Sequence, residues 1–291
     1  MTEEVFPPMP IIVGVARSGT TLLRLMLDAH REISIPPETG FIPSIARLNS
    51  AGAALREEVF RTITRATTWE DSTLSTEALW EALSAIEPFS AADAVRAFYR
   101  LYATRHGKPR WGDKTPLYCL HLDTIQTFLP EARVLHIIRD GRDVALSVRG
   151  LWFTPGHDME SIARDWCARI ETARRLSQHC RYYMEVRYED LVLNPHQMLL
   201  RICEFLALFY DPLMEQYFTQ ARQRLDEVNT RYKPDGSVLI SKEERLFIHR
   251  FTSRPPEPER VFRWKSTMTN KERSTFVGVA RPLLEALGYE T

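Results

Sequence analysis

Residues 10–15, Pro-Ile-Ile-Val-Gly-Val, run into 16–21, Ala-Arg-Ser-Gly-Thr-Thr, and then into 22–30, Leu-Leu-Arg-Leu-Met-Leu-Asp-Ala-His. The first six residues are an apolar run of strand length, and they read as a buried strand. The Gly/Ser/Thr turn that follows opens an apolar helix to about His30, with leucines nearly all round it, so the helix is expected to be covered on most sides. Gly14-Val15-Ala16-Arg17-Ser18-Gly19-Thr20-Thr21 has the spacing of the Walker A loop, G-x-x-x-x-G-K-[ST], with Thr20 in place of lysine. The glycines let the backbone wrap a phosphate, inward amides and the helix dipole favour the anion, and Arg17 adds a fork for two oxygens. A nucleoside triphosphatase needs the missing lysine on its terminal phosphates and a distal aspartate for magnesium. The loop instead suits one phosphate that carries a leaving group. A nucleotide kinase and a strand-to-helix turn without a ligand stay open as rival readings.

Outward from this loop, Arg133–Arg139 (RVLHIIR) is a second strong strand, and GRDVALSVRG after it starts a helix. Arg139 at the strand tip and Ser147 on the helix face can converge on a second anion, or be a solvated arginine and a capped helix. A long helix is expected from about Met159 to Gln178, and YMEVRY (183–188) is a third strand. Asn194 is expected to cap the next helix, with Pro195 at its first position. Residues 51–107 read as largely helical, an insertion over the core. Segment 224–263 is polar, carries Pro255, Pro256 and Pro258, and reads as a long loop. Thr269 and Glu272 form a capping box for a last helix ending at Gly288. Strands alternating with helices predict an α/β fold: a P-loop-like parallel sheet flanked by helices, with a mostly helical cap. Ligands of such sheets bind at the carboxyl ends of the strands, so the two anion motifs are expected to share one crevice.

The composition excludes several classes. With 38 basic and 38 acidic residues, the chain lacks the basic excess of a general nucleic-acid binder. Cys119, Cys167, Cys180 and Cys203 form no CxxC pair, and the eight histidines form no HExxH or H-x₃-H pattern, so no metal is expected. The start, MTEEVFPPMP, has no apolar core of a secretory signal, and no run of 18 apolar residues occurs. The expectation is a soluble, cytoplasmic protein; its oligomeric state is not legible here.

The loop stretch IIVGVARSGTTLLRLMLDAH, followed by PPETGFIP, GDKTP, VLHIIRDGRDVALS, RYEDL and FRWK in that order, resembles the sulfotransferase superfamily. The likeness is to the bacterial branch related to protein-tyrosine sulfotransferases. It implies one domain over 1–291, with a cap insertion at about 45–110 and a covering loop at about 224–265. It implies the co-substrate 3′-phosphoadenosine 5′-phosphosulfate and the product 3′,5′-adenosine bisphosphate, with no metal. By the same likeness, Arg17, Ser18, Gly19, Thr20 and Thr21 hold the 5′ phosphosulfate, and Arg139 and Ser147 hold the 3′ phosphate. Arg263 and Lys265 belong to a late basic loop over that phosphate, and Tyr188 meets the nucleoside. Lys114 stands beside the transferring group, and Glu38 matches the glutamate taken as base in tyrosine sulfotransferases. His30 and His121 are rival bases.

The sequence also departs from that branch. Gly40 stands where a substrate-gripping arginine is expected, and only Arg47 lies beyond it. The expected acceptor is therefore a small-molecule or lipid-like hydroxyl compound, and less so an amine. Its pocket is expected between 45–107 and 224–262, with Phe60, Trp69, Trp80, Phe89, Phe98 and Tyr99 as either its lining or the cap's own core. A non-catalytic bisphosphate-binding module is the third reading.

Overall fold

Met9–Gly14 (β1) is buried at every position, as a strand covered on both faces must be. It is flanked by Asp113–Lys114 (β2) on one side and by Ala132–Ile138 (β3) on the other, with Tyr183–Arg187 (β4) beyond β3. The order is β2-β1-β3-β4, and every pairing is parallel. These facts come from a computed structural model that describes residues 6–156, 158–233 and 235–291. The first residues of the chain, read above for a secretory signal, lie outside the described residues up to position 5.

Helices cover both faces. Thr20–Asp28 (α1) leaves the first loop, and its sequence is buried from Leu22 to Asp28. With Pro195–Leu206 (α2) it packs on one face of the sheet, against Ile12, Leu135, Ile137 and Val186. The other face, presented by Met9, Ile11, Val13 and Val134, lies under the cap helices Gly52–Thr64, Thr76–Ser84 and Ala91–Arg105. That alternation along β1 is the period-two rule at work. Gly141–Val148 (α3), Met159–Leu176 (α4) and Asn270–Ala286 (α5) make a third apolar cluster around Trp166 and Phe276. The capping box of Thr269 and Glu272 is present at the start of α5.

Two local expectations need correction. Asn194 precedes α2 but makes no side-chain cap. Its backbone N–H closes the preceding short helix on Asp190 O at 2.8 Å, which sets its dihedrals to φ −134° and ψ 55°. Segment 224–263 is not a bare loop. It folds into an antiparallel hairpin, Arg231–Tyr232 with Val238–Ile240, and a helix, Lys242–Ile248 (α6, by position in the chain it falls before α5). The helix starts at a capping box formed by Ser241 and Glu244.

A buried polar network ties the loop helix to the covering segment. Asp28, at the end of α1, accepts from Arg224 Nε at 2.5 Å and Nη2 at 3.0 Å, and from Ile35 N at 2.8 Å. Tyr102 of the cap donates to Glu227 at 2.6 Å. Loop helix, cap and covering segment are thus joined through buried charge.

Candidate active site

The first loop is held in its shape by close backbone contacts. A side chain at Gly14 would bring a Cβ within 2.6 Å of Ile137 O, and one at Gly19 within 2.4 Å of the Tyr188 ring. Gly19 has φ 111°, which only glycine adopts freely. Arg17 is also left-handed, at φ 72°, a strain of roughly 1–2 kcal/mol for a residue with a Cβ. No side chain caps α1, so its first amides are left to serve a ligand at the loop.

The loop and the second motif come together because β1 and β3 are neighbours in register, Gly14 opposite Ile137. Arg17 Nε donates to Ser147 Oγ at 3.1 Å, and Arg139 Nη1 reaches Arg17 O at 3.4 Å. Arg139 also lies over the Tyr188 ring, 4.3 Å from its centre, and donates to Arg260 O at 2.8 Å. Burial, then Arg139, Arg260 and Arg250, push the Arg17 guanidinium down to about 10. Within this cluster Ser18 Oγ and Arg139 Nε are buried without a partner. Crowded guanidiniums and orphaned donors are the electrostatic signature of a site built for anions.

Arg17, Arg139, Ser147 and Arg260 line one cavity of about 470 Å³, with Thr20, Thr21, Tyr188 and Glu38. Ser18 sits behind the loop, its side chain 1% exposed with the residue as a whole. Lys114, at the tip of β2, donates to Glu38 Oε1 at 2.9 Å; its side chain is 5% exposed, against 32% for Glu38. Burial alone would raise the Glu38 pKa, but Lys114 and then Arg231 outweigh it, and the carboxyl falls to about 2. Burial lowers the Lys114 pKa against the opposing pull of Glu38.

The backbone under this ion pair is locked by its neighbours in sequence. Asp113 Oδ2 accepts from Thr39 Oγ1 at 2.7 Å and from Tyr99 OH at 2.8 Å, while Thr39 N donates to Thr115 Oγ1 at 3.1 Å. Asp113 Oδ1 has no partner, and burial lifts the carboxyl to about 6 against the hydrogen bonds of Thr39 and Tyr99. A folded pKa raised above the unfolded one means that this group's stabilisation is complete below about pH 4 and is lost as pH rises through about 6. Asp113→Asn is expected to match the wild type in urea unfolding at about pH 4 and to exceed it by roughly 1–3 kcal/mol at about pH 7.5. The reverse order would show that Thr39 and Tyr99 require the ionised carboxylate.

Not every candidate lies here. Lys265 donates to Glu290 at 2.8 Å, Arg263 is exposed, and neither lines the cavity. Trp264 stands between them. Its ring is buried 3.6 Å from the Arg142 guanidinium and its backbone N–H donates to Asp143 at 2.8 Å, while both flanking side chains point outward. Arg260, a few residues earlier, lines the cavity instead. His30 is fixed between Phe209 O at 2.8 Å and the Glu32 N–H at 3.0 Å, and neither His30 nor His121 lines the cavity.

The histidine at the cavity wall is His249, in a segment read as loop. Burial, Lys114 and Arg17 push it well below the ordinary imidazole value, so it is neutral at pH 7. It follows helix α6, whose Arg245 clasps Asp71 of the cap through two contacts of 2.7 Å, and whose Ile248 O accepts from Arg17 Nη2 at 3.1 Å. Arg231, on the hairpin, lies 3.5 Å from Glu38 and 3.4 Å from Asp71. The signal for this helix was in the sequence, as Ser241-Lys242-Glu243-Glu244. The cap aromatics do not reach the site. Phe98 packs edge-on against Phe41 and Tyr99, and Phe60 against Trp80, as a core of the cap.

Comparison with known proteins agrees with this geometry. The model of a family described as "Sulfotransferase family" matches residues 8–212. A protein-tyrosine sulfotransferase of Drosophila melanogaster is 29% identical over 294 residues, 97% of this chain and 52% of that protein. Human protein-tyrosine sulfotransferase 1 is 31% identical over 210 residues, 69% of this chain and 51% of that protein. The chain thus spans about half the length of these curated relatives. Among solved structures, the sulfotransferase domain of the Synechococcus PCC 7002 olefin synthase has a TM-score of 0.63 at 21% identity, covering 99% of this chain and 98% of that one. The corresponding domain from the curacin biosynthetic pathway gives 0.62 at 19%, covering 99% of both. At these identities the likeness is one of fold.

Proposed function

The chain belongs to the sulfotransferase family, and from that premise we propose that it moves a sulfuryl group from 3′-phosphoadenosine 5′-phosphosulfate onto the hydroxyl of a small-molecule or lipid-like acceptor. The observation that carries this reading is the pair of anion loops joined through Arg17 and Ser147, opposite the Lys114–Glu38 pair. Two phosphates at the ends of one nucleoside answer two cationic loops at the ends of neighbouring strands. Arg17, Gly19, Thr20 and Thr21 hold the 5′ phosphosulfate, with Ser18 beneath them. Arg139 and Ser147 hold the 3′ phosphate, Arg260 supports it, and Tyr188 faces the nucleoside.

Transfer needs the acceptor oxygen, the sulfur and the leaving phosphate oxygen in line. The acceptor oxygen forms the new S–O bond, the bond from sulfur to the 5′ phosphate breaks, and the electron pair leaves on that phosphate. The acceptor's proton goes to Glu38. A carboxyl at about 2 is a weak base at neutral pH while Lys114 holds it. The leaving phosphate competes for the same ammonium. As Lys114 turns to the growing charge, Glu38 loses its main partner and becomes the stronger base. Lys114 thus serves the carboxylate first and the leaving oxygen second.

His249 carries the second reading of the base, because it is a neutral imidazole at the same wall. The proposal as a whole is tested by calorimetric titration with 3′,5′-adenosine bisphosphate. Micromolar binding is expected, and no binding at millimolar ligand would overturn it.

A further inference from the structure

The lining of the cavity divides into two chemically unlike arms. One is cationic and runs past Arg17, Arg139 and Arg260. The other is built by Pro116 and Leu117, just beyond Lys114 in the chain, and by Val144, Val148, Trp152 and Phe153. The junction is set by α3. Val144, Ser147 and Val148 stand at i, i+3 and i+4, so one helix face carries a phosphate ligand and then turns apolar. Ile162 extends the same wall. Asp165 and Arg169 also border it, but they neutralise each other at 2.7 Å and leave the arm without net charge. At its mouth Leu117 is 56% and Trp152 53% exposed, large apolar side chains turned to solvent. Trp152 stands edge-on to Phe153 at 5.4 Å.

We propose that this arm binds an extended hydrocarbon chain, so that the acceptor is an alcohol with its hydroxyl at the head of that chain. The inference rests on the sulfuryl-transfer reading and narrows its acceptor. A sugar here would face its hydroxyls to valine, leucine and tryptophan and lose their hydrogen bonds to water. An acidic peptide would find Arg169, at this arm, already engaged by Asp165. A methylene chain gains by burial at every carbon and, when longer than the arm, leaves between Leu117 and Trp152.

Binding is the direct test. Straight-chain 1-alkanols from butanol to decanol are titrated into the full chain saturated with 3′,5′-adenosine bisphosphate, followed by tryptophan fluorescence and calorimetry. Affinity is expected to rise roughly three- to fourfold per added methylene until the arm is filled. The fluorescence response is expected to fall in Trp152→Phe, which leaves Trp166 of the same cavity, while calorimetric binding persists. Leu117→Ser and Trp152→Ala should each weaken decanol about tenfold and leave bisphosphate affinity unchanged. An affinity independent of chain length, or decanol binding untouched by both substitutions, would overturn the inference. So would labelled donor sulfating an acidic tyrosyl peptide and none of the bound alkanols. Failure of the bisphosphate itself to bind would strike the sulfuryl-transfer reading instead, which separates the two failures.

Discussion

Lys114→Met is expected to lower kcat/KM for sulfuryl transfer by about two to three orders of magnitude and to leave bisphosphate affinity within a few-fold. The size follows from the removal of one buried donor at the point where charge grows, which costs roughly a hundred- to a thousandfold in comparable sites. Methionine keeps the length and apolar stem of the lysine, so packing at β2 is preserved. Its partner Glu38 is expected to behave alike. Glu38→Gln should cost about a hundred- to ten-thousandfold, the range for loss of a general base. Because the two groups touch at 2.9 Å and act in the same step, the double variant should be little worse than either single one. Steady-state kinetics beside calorimetry decides the matter. Retention of a tenth or more of wild-type turnover in Lys114→Met would remove Lys114 from the chemistry. If His249→Ala is the inactive variant and Glu38→Gln the active one, the base is His249.

The second large effect is on recognition of the donor. Arg139→Ala is expected to weaken 3′,5′-adenosine bisphosphate by about 10- to 100-fold, the worth of one charge-assisted hydrogen bond to a phosphate. The same variant should leave 5′-AMP, which has no 3′ phosphate, within about threefold. Arg139 also holds Arg260 O and covers the Tyr188 ring, so its removal disturbs the wall as well. Ser147→Ala removes one hydroxyl from the same anchor without that disturbance, and should shift the bisphosphate alone in the same direction. Equal losses for both nucleotides would move Arg139 to the 5′ site.

The sequence was most legible where a single local rule sets the structure. An apolar run, a glycine turn and an apolar start of helix are contiguous in Ile11–Leu25, so the loop and its neighbours were read from adjacent residues. The pairing of the two anion motifs was also legible, because parallel strands put their carboxyl ends together. Segment 224–263 was not legible as a whole. Its prolines and charges suggested a loop, and they outweighed the short capping signal at Ser241. The helix that signal starts is stabilised by contacts far away in the chain, with Arg245 on Asp71 and Ile248 O on Arg17. Lys265 shows the converse. Its place in a familiar motif implies a phosphate, while in the fold it reaches Glu290 beside the buried Trp264.

By itself, then, the sequence determined the parallel α/β frame and the two loops at the ends of neighbouring strands. Backbone conformation and short-range amide chemistry are written into consecutive residues. Only the tertiary structure decided which side chains face one another across the cavity. Glu38 meets Lys114 and Arg231, His249 stands beside them, and an uncharged wall rises at Leu117 and Trp152, from segments far apart in the chain. The ionisation of such groups and the character of the acceptor arm depend on burial and on neighbours, and those exist only once the chain has folded.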